Sequence, residues 1–206
     1  MLKTDAFSTL LRKIVADDQL HARWLNSLSM MENTGARKIS HYEDPVHTNL
    51  TELQHAAEEA RHAFYLKKQI GKIRGVECPD FSFPFLLAPV ESHQYLNHLD
   101  ISACRYLKNK LGYSGRKLKI GAYLLVTYSI EVRADVLYGI YQAELTHAGS
   151  RVNVKSIIAE EEGHLAEMER MLINWLPDWR NHADAMCKIE QSLFGNWIDA
   201  IARMHG

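Results

Sequence analysis

The sequence predicts an all-α protein, and three observations support that prediction. Apolar residues recur at helical spacing along almost the whole chain, and no segment sustains the apolar-polar alternation of a half-buried strand. Proline and glycine cluster between the periodic segments, where they interrupt helices. Hydrophobic residues make up 47% of the 206 residues, which is enough for a sizeable core.

The periodic segments place the helices and group four of them into two hairpins. Asp17 and Asp18 mark a break in the first periodic segment, and Pro45 lies in the turn that ends it. Pro89 is suited to the first turn of a later helix, where a missing N–H costs no hydrogen bond. The predicted helices have these approximate bounds: 6–39, 50–70, 89–111, 118–145, 153–176 and 183–204.

Nothing in the composition marks a seam between two independent cores, so we predict a single domain over 1–206. The two hairpins form its core, and a long crossover joins them. The predicted parts are the core over 18–71 and 118–176, the crossover over 72–117 and the C-terminal helix over 183–204.

Composition and charge narrow the class of protein. The formal net charge is -1, so the chain lacks the basic field that drives binding to nucleic acid. The three cysteines lie far apart without a Cys-x-x-Cys pair, which indicates a reducing compartment and no thiolate metal site. The longest strongly apolar stretch, 120–130, is too short to span a bilayer, and charged residues interrupt the N-terminal segment. We therefore expect a cytoplasmic protein with no membrane span and no nucleic-acid partner.

Two short motifs carry the chemistry of the sequence. Glu59 and His62 form one Glu-x-x-His motif, and Glu161 and His164 form another. In an α-helix the third residue along lies about one turn away on the same face, so both side chains of a motif can reach one ion. A single motif of this kind is common on solvated faces and is weak evidence on its own.

Each motif has a lone glutamate at a matching position on the other helix of its hairpin. Glu32 lies 27 residues before Glu59, and Glu131 lies 30 residues before Glu161. The midpoint of the first pair falls beside Pro45 and that of the second beside the THAGS turn, so antiparallel hairpins bring each pair level. The similar spacings predict two similar hairpins packed face to face.

Four carboxylates inside an apolar bundle require compensation by cations. An unpaired buried charge costs several kcal/mol, and two divalent ions balance four carboxylates. Mixed oxygen and imidazole ligands suit iron or manganese better than magnesium or calcium. The sequence therefore predicts two iron ions, with manganese as the alternative metal, bound by Glu32, Glu59, His62, Glu131, Glu161 and His164.

A glutamate from each of two helices and a Glu-x-x-His from each of two others is the ligand pattern of ferritin-like carboxylate bundles. On these residues the sequence resembles the ferritin-like di-iron carboxylate superfamily, over about 18–71 and 118–176. The resemblance implies a four-helix bundle of two antiparallel hairpins with a long crossover, here with additional crossover and C-terminal helices. The four-cysteine iron site of the rubrerythrin branch is absent from the sequence.

The resemblance also implies roles for the ligands. One glutamate pair bridges the two ions, either Glu59 with Glu161 or Glu32 with Glu131, and each histidine binds one ion. A homodimer is a further expectation that the resemblance carries.

A third Glu-x-x-His, formed by Glu52 and His55, competes with the motif one heptad later. The midpoint of Glu32 and Glu52 falls at the edge of the loop, which is a poorer fit, so Glu59 and His62 are preferred as ligands. His55 then becomes a candidate for the shell of residues around the ligands.

Tyr128 and Asp135 lie one turn before and one turn after Glu131, so both are further candidates for that shell. Asp135 would fix the tautomer of a ligand histidine through a hydrogen bond, with an ordinary salt bridge as the alternative. Core packing is the preferred interpretation for Tyr128. The other acidic residues of the two motifs lie off the shared face and are expected to be solvated: Glu58, Glu160 and Glu162.

Three classes of function agree with these features. The leading hypothesis, drawn from the resemblance, is an oxidoreductase that uses dioxygen and an electron donor to oxidise a small-molecule or acyl substrate. The crossover, with Phe81, Phe83 and Phe85, is expected to cover the substrate pocket. The alternatives are a ferroxidase or iron-storage protein and a metal-free helical interaction module.

Overall fold

The part of the chain that the structure describes is mainly helical. The computed structural model describes residues 4–43 and 46–205, except for the side chains of Thr4, Glu162 and His205. These residues contain no β-strand, which confirms the all-α prediction, and none of their helices is long and apolar enough to cross a membrane. The helices are α1 (Thr4–Ala16), α2 (Asp18–Tyr42), α3 (Leu50–Ile70), α4 (Pro89–Leu111), α5 (Gly115–His147), α6 (Lys155–Trp175) and α7 (Trp179–His205), with a 3-10 turn at Phe83–Phe85.

Local sequence signals set several helix ends. The Asp17 side chain accepts hydrogen bonds from two backbone N–H groups in the first turn of α2, which explains the predicted break. Asn49 and Glu52 form a capping box at the start of α3. Gly112, with a left-handed φ of 64°, ends α4. The predicted turn residue Pro45 lies outside the described residues.

α2 and α3 form the first of the two predicted hairpins. The Ser29 hydroxyl donates a hydrogen bond of 2.7 Å to the Ala63 carbonyl oxygen. Gly35, six residues after Ser29 on α2, lies opposite Glu59, four residues before Ala63 on α3. A Cβ atom added at Gly35 would lie 3.4 Å from Glu59 Oε2. The two helices therefore run antiparallel, and the level of Glu59 falls close to that of Glu32.

α5 and α6 form the second hairpin. Near the turn, the Val154 backbone N–H donates to Gln142 Oε1 at 2.8 Å. Farther from the turn, His164 Nδ1 of α6 lies 3.7 Å from Glu131 Oε2 of α5. The order of these contacts shows that α5 and α6 run antiparallel, so Glu131 reaches the level of the second motif.

The remaining helices cover the hairpins. α7 packs against α4 and α5, and α1 packs against α2 and α5. Trp24 of α2 stacks on Trp197 of α7, with ring centroids 5.2 Å apart and an interplanar angle of 9°. Phe7 of α1 and Phe194 of α7 meet edge to face beside this stack. This aromatic cluster buries one side of the first hairpin and leaves its other side to the second hairpin.

We expect opposite stability changes from two Gly→Ala substitutions in α5. An alanine Cβ at Gly121 would lie 2.8 Å from Trp175 Cη2, so Gly121→Ala should destabilise the protein by about 1–3 kcal/mol. Gly139 has no such neighbour within 4 Å, so Gly139→Ala should stabilise the helix by up to about 1 kcal/mol. Urea denaturation of both variants measures the difference, and equal changes would contradict the close approach of α6 to Gly121.

Candidate metal centre

The structure brings all six predicted ligands together, as two groups of three. In each group, one ligand atom from each residue lies within 4.8 Å of the other two. The first hairpin provides Glu32, Glu59 and His62, and the second provides Glu131, Glu161 and His164. Five of the six side chains are buried, and Glu32 is half-buried.

Glu161 joins the two groups into one cluster. Its Oε1 atom lies 3.2 Å from His62 Nδ1, on the opposite hairpin. Its Oε2 atom lies 3.6 Å from His164 Nδ1, on its own helix. A carboxylate between two imidazoles is positioned to contact two ions at once.

The outer nitrogen of each histidine is held by a glutamate of the opposite motif. His62 Nε2 donates to Glu160 Oε2 at 2.7 Å, and His164 Nε2 donates to Glu58 Oε2 at 2.6 Å. The expectation that Glu58 and Glu160 are solvated is therefore wrong, because both side chains are half-buried in these pairs. The side chain of Glu162, expected to be solvated as well, lies outside the described atoms.

The outer nitrogen of each histidine is used in these hydrogen bonds. The inner nitrogen points into the cluster, toward the oxygen atoms of other glutamates. An ionised carboxylate only accepts, so the outer nitrogen of each imidazole carries a hydrogen. The inner nitrogen would then present a lone pair to a metal ion once it has given up its own proton. Six buried side-chain nitrogen or oxygen atoms in the described part of the chain lack a hydrogen-bond partner, and four of them lie in this cluster. They are His62 Nδ1, His164 Nδ1, Glu131 Oε2 and Glu161 Oε2.

Metal ions would satisfy these inward-facing acceptor atoms, which have no hydrogen-bond donor. Buried polar atoms are normally paired, since an unpaired one costs about 1–3 kcal/mol. Divalent cations placed among these lone pairs would pair all four atoms. The donor set of carboxylate oxygens and imidazole nitrogens suits iron or manganese. The residues present therefore fit the predicted kind of ion.

The charges of the cluster also call for a cation. Burial, together with the nearby Glu32 carboxylate, raises the pKa of Glu59 well above its usual range. Burial and the hydrogen bond with Glu161 do the same to the pKa of Glu131. Burial alone would lower the pKa of His164, but the nearby Glu131 and Glu161 carboxylates outweigh it and raise that pKa to about 11. Without metal, the cluster reduces its negative charge by holding protons.

Tyr138 is a site residue that the sequence analysis missed. Its hydroxyl donates a hydrogen bond to Glu32 Oε1. The Tyr138 side chain is buried, and burial followed by the Glu32 charge raises its pKa well above its usual range. Tyr138 lies seven residues after Glu131, a spacing that returns to nearly the same helix face, so the signal was present in the sequence.

His55 lies beside the cluster but belongs to neither ligand group. Its ring centroid is 5.0 Å from that of His164, its Nδ1 is 3.1 Å from the Tyr123 hydroxyl, and its Nε2 is 3.3 Å from Glu167 Oε2. The competing residue Glu52 is used in the capping box of α3. The structure thus groups Glu59 and His62, not Glu52 and His55, with Glu32.

The other two candidates for contacts with the ligands lie elsewhere. Tyr128 packs edge to face against Trp179, with ring centroids 5.8 Å apart, which agrees with core packing. Asp135 is exposed and makes no hydrogen bond or ion pair with any described residue, so its expected role beside a ligand histidine is wrong. Both residues are a turn away from Glu131 in sequence, but the orientation of α5 directs them away from the cluster.

An apolar cavity of about 90 Å³ adjoins the first ligand group, because Glu32 and Glu59 form part of its wall. The rest of the wall comes from α2, α4, α5 and α7. The expectation that the crossover phenylalanines in 81–85 cover the pocket is wrong, since none of them lines this cavity. The crossover contributes Tyr95 and Leu96 of α4 instead.

Comparisons with known proteins do not identify the class of this site, so its own geometry has to define it. No protein-family model, no curated protein and no solved structure matches the chain. What the fold and the site define is an all-helical protein whose buried clusters of glutamate and histidine can hold metal.

Proposed function

We propose that the chain is a ferritin-like four-helix bundle that binds two metal ions, and that iron is the metal of its function. The observation that carries the proposal is the set of four buried, unpaired acceptor atoms that face inward from both hairpins. Glu161, between His62 and His164, supports the alternative in which Glu59 and Glu161 are the bridging pair.

We further propose that the protein is an oxygen-activating oxidoreductase that acts on an organic substrate. Paired ferrous ions, when bound, supply electrons for the reduction of dioxygen. The chain's own residues prepare the site for that chemistry. Glu58 and Glu160 fix the tautomer of the two histidines, and the buried Tyr138 hydroxyl holds Glu32 in place. The apolar walls of the adjoining cavity offer few hydrogen-bond partners to water beside the reacting groups.

The proposed net reaction is hydroxylation of a C–H bond. Dioxygen accepts four electrons, two from that bond and two, one at a time, from a separate electron donor, and two protons come from solvent. One oxygen atom enters the product as a hydroxyl group, and the other leaves as water.

Iron oxidation and storage remains the alternative with the same ligands. The cavity beside Glu32 and Glu59 favours an organic substrate, because its walls are mostly apolar and so offer little to hydrated iron ions.

Dioxygen uptake by the ferrous-loaded protein tests the proposal. We expect uptake that stops after a single turnover without a reductant, while the iron stays bound at about two ions per chain. The variant Glu131→Ala/His164→Ala should take up no more dioxygen than free ferrous iron. Iron that accumulates well beyond two ions per chain would favour storage, and uptake equal to that of free iron would contradict the proposed function.

Loss of an outer hydrogen bond should weaken metal binding without abolishing it. Glu58→Gln and Glu160→Gln replace a charged acceptor of a histidine N–H by a weaker one, so each should lower metal affinity by about 10–100-fold. Competition with a coloured chelator measures the affinity. Glu77→Gln, at an exposed position in the crossover, is the control and should leave the affinity unchanged. Unchanged affinity in all three variants would show that the two histidines do not bind metal.

A further inference from the structure

The cavity beside the ligands is long as well as apolar. Its lining on α2 extends from Leu28 to Tyr42, and its lining on α5 extends from Tyr123 to Tyr138. At a rise of about 1.5 Å per residue, each of these stretches is roughly 20 Å long. Lining residues recur every three or four positions along both stretches, so the cavity forms a continuous channel between the two helices.

The length and the wall of the channel select the shape of its occupant. A channel that runs along two helices for this distance matches an extended single chain better than a compact ring system. The wall between the ends consists largely of apolar side chains, including Met31, Ile39, Val126 and Ile130. Such a wall favours methylene groups and offers few partners to polar groups along the chain.

The two cationic residues of the channel wall are already paired. Lys38 Nζ lies 3.1 Å from Asp100 Oδ2, and the Tyr42 hydroxyl donates to the same carboxylate. Arg133 donates to both carboxylate oxygens of Glu190, at 2.9 and 2.8 Å. Because neither cation is free, the channel provides no ready partner for an anionic head group.

We propose that the channel binds the unbranched alkyl chain of the substrate, with a neutral polar head group. Glu32 and Glu59 lie in the channel wall, so a chain in the channel passes directly beside the ligand cluster. As an account of the substrate, this inference rests on the proposed function. Binding of the alkyl chain itself requires only the channel.

Titration with 1-alkanols of increasing length tests the inference. The full-length protein is titrated with the series from hexanol to hexadecanol. The titration is done with metal-free protein and with protein loaded with two equivalents of Mn(II), and calorimetry gives the affinity. We expect affinity to rise about four-fold per methylene, equivalent to about 0.8 kcal/mol each, until the chain fills the channel, and to level off beyond that length. Fatty acids of equal length should bind no more tightly than the alkanols.

Two substitutions locate the binding site. Ala134→Phe places a ring in the channel and should weaken alkanol binding at least ten-fold. The milder Ala134→Leu should shorten the length at which the affinity levels off. Ala143→Phe, at an exposed position of the same helix, is the matched control and should bind as the wild type does. Circular dichroism and metal content confirm that each variant is folded.

The outcomes separate this inference from the proposed function. Affinity that does not depend on chain length, or that survives both Ala134 substitutions, would overturn the alkyl channel. Fatty acids that bind ten-fold more tightly than alkanols would overturn the neutral head group. Normal Mn(II) binding without alkanol binding would leave the metal site standing and remove the channel. Alkanol binding without metal binding would keep the channel and remove the oxidoreductase.

Discussion

Metal-loaded protein should melt far above metal-free protein. An ion that binds only the folded chain, at about 1,000 times its dissociation constant, adds about 4 kcal/mol to the free energy of unfolding. For a chain of this size, each kcal/mol raises Tm by about 2–4 °C, so one filled site should add roughly 8–16 °C. The unpaired acceptors of both hairpins make the folded state the form that binds metal. Differential scanning calorimetry with and without Mn(II) measures the shift.

Two variants decide whether this shift arises at the proposed ligands. Glu131→Ala/His164→Ala removes a carboxylate and an imidazole of the second group and should lose most of the shift. Asp135→Ala removes an exposed carboxylate one turn after Glu131 and should keep all of it. An equal shift in both variants would place metal binding elsewhere on the chain.

Loss of Arg133, the partner of the buried Glu190, should strongly destabilise the protein. The Glu190 carboxylate is 2% exposed and accepts hydrogen bonds from Arg133 and from the Tyr95 hydroxyl. Arg133→Met leaves this buried carboxylate with Tyr95 alone, which should cost about 3–5 kcal/mol. Urea denaturation measures the change in the free energy of unfolding.

An ion pair of the same chemistry, but with an exposed arginine, provides the comparison. Arg12 contacts the Glu144 carboxylate in the same way, and the Arg12 side chain is 59% exposed while Glu144 is buried. Because water can replace an exposed guanidinium, Arg12→Met should cost less than Arg133→Met, about 1 kcal/mol. The double variant Arg133→Met/Glu190→Leu removes the buried carboxylate together with its partner and should recover most of the lost stability. A double variant as unstable as Arg133→Met would show that packing, not an unpaired charge, sets the cost.

Sequence patterns sufficed to predict the helices and the six grouped residues. The periodicity of α3 and the capping residue Asn49 fix its start at Leu50, where the helix was predicted to begin. Residues three apart on a helix share a face, and a hairpin aligns residues equidistant from its turn. These two geometric rules were enough to group Glu32 with Glu59, because neither depends on how the hairpins pack together.

Contacts between the hairpins could not be predicted in the same way. The pairs Glu58–His164 and Glu160–His62 join α3 to α6, and they depend on how far each helix is rotated about its axis. A periodicity defined to within one or two residues does not fix that rotation. For the same reason Asp135 was placed at the site although it faces solvent. The channel was also missed, because a cavity depends on side-chain packing among five helices.

The most direct test of the central claim is the metal content per chain, measured by elemental analysis after supply of ferrous iron and removal of loosely bound ions. The site predicts about two irons per chain in the wild type and in Asp135→Ala. It predicts a large loss in Glu131→Ala/His164→Ala. A wild-type chain that retains no metal under these conditions would contradict the metal site and favour a helical interaction module.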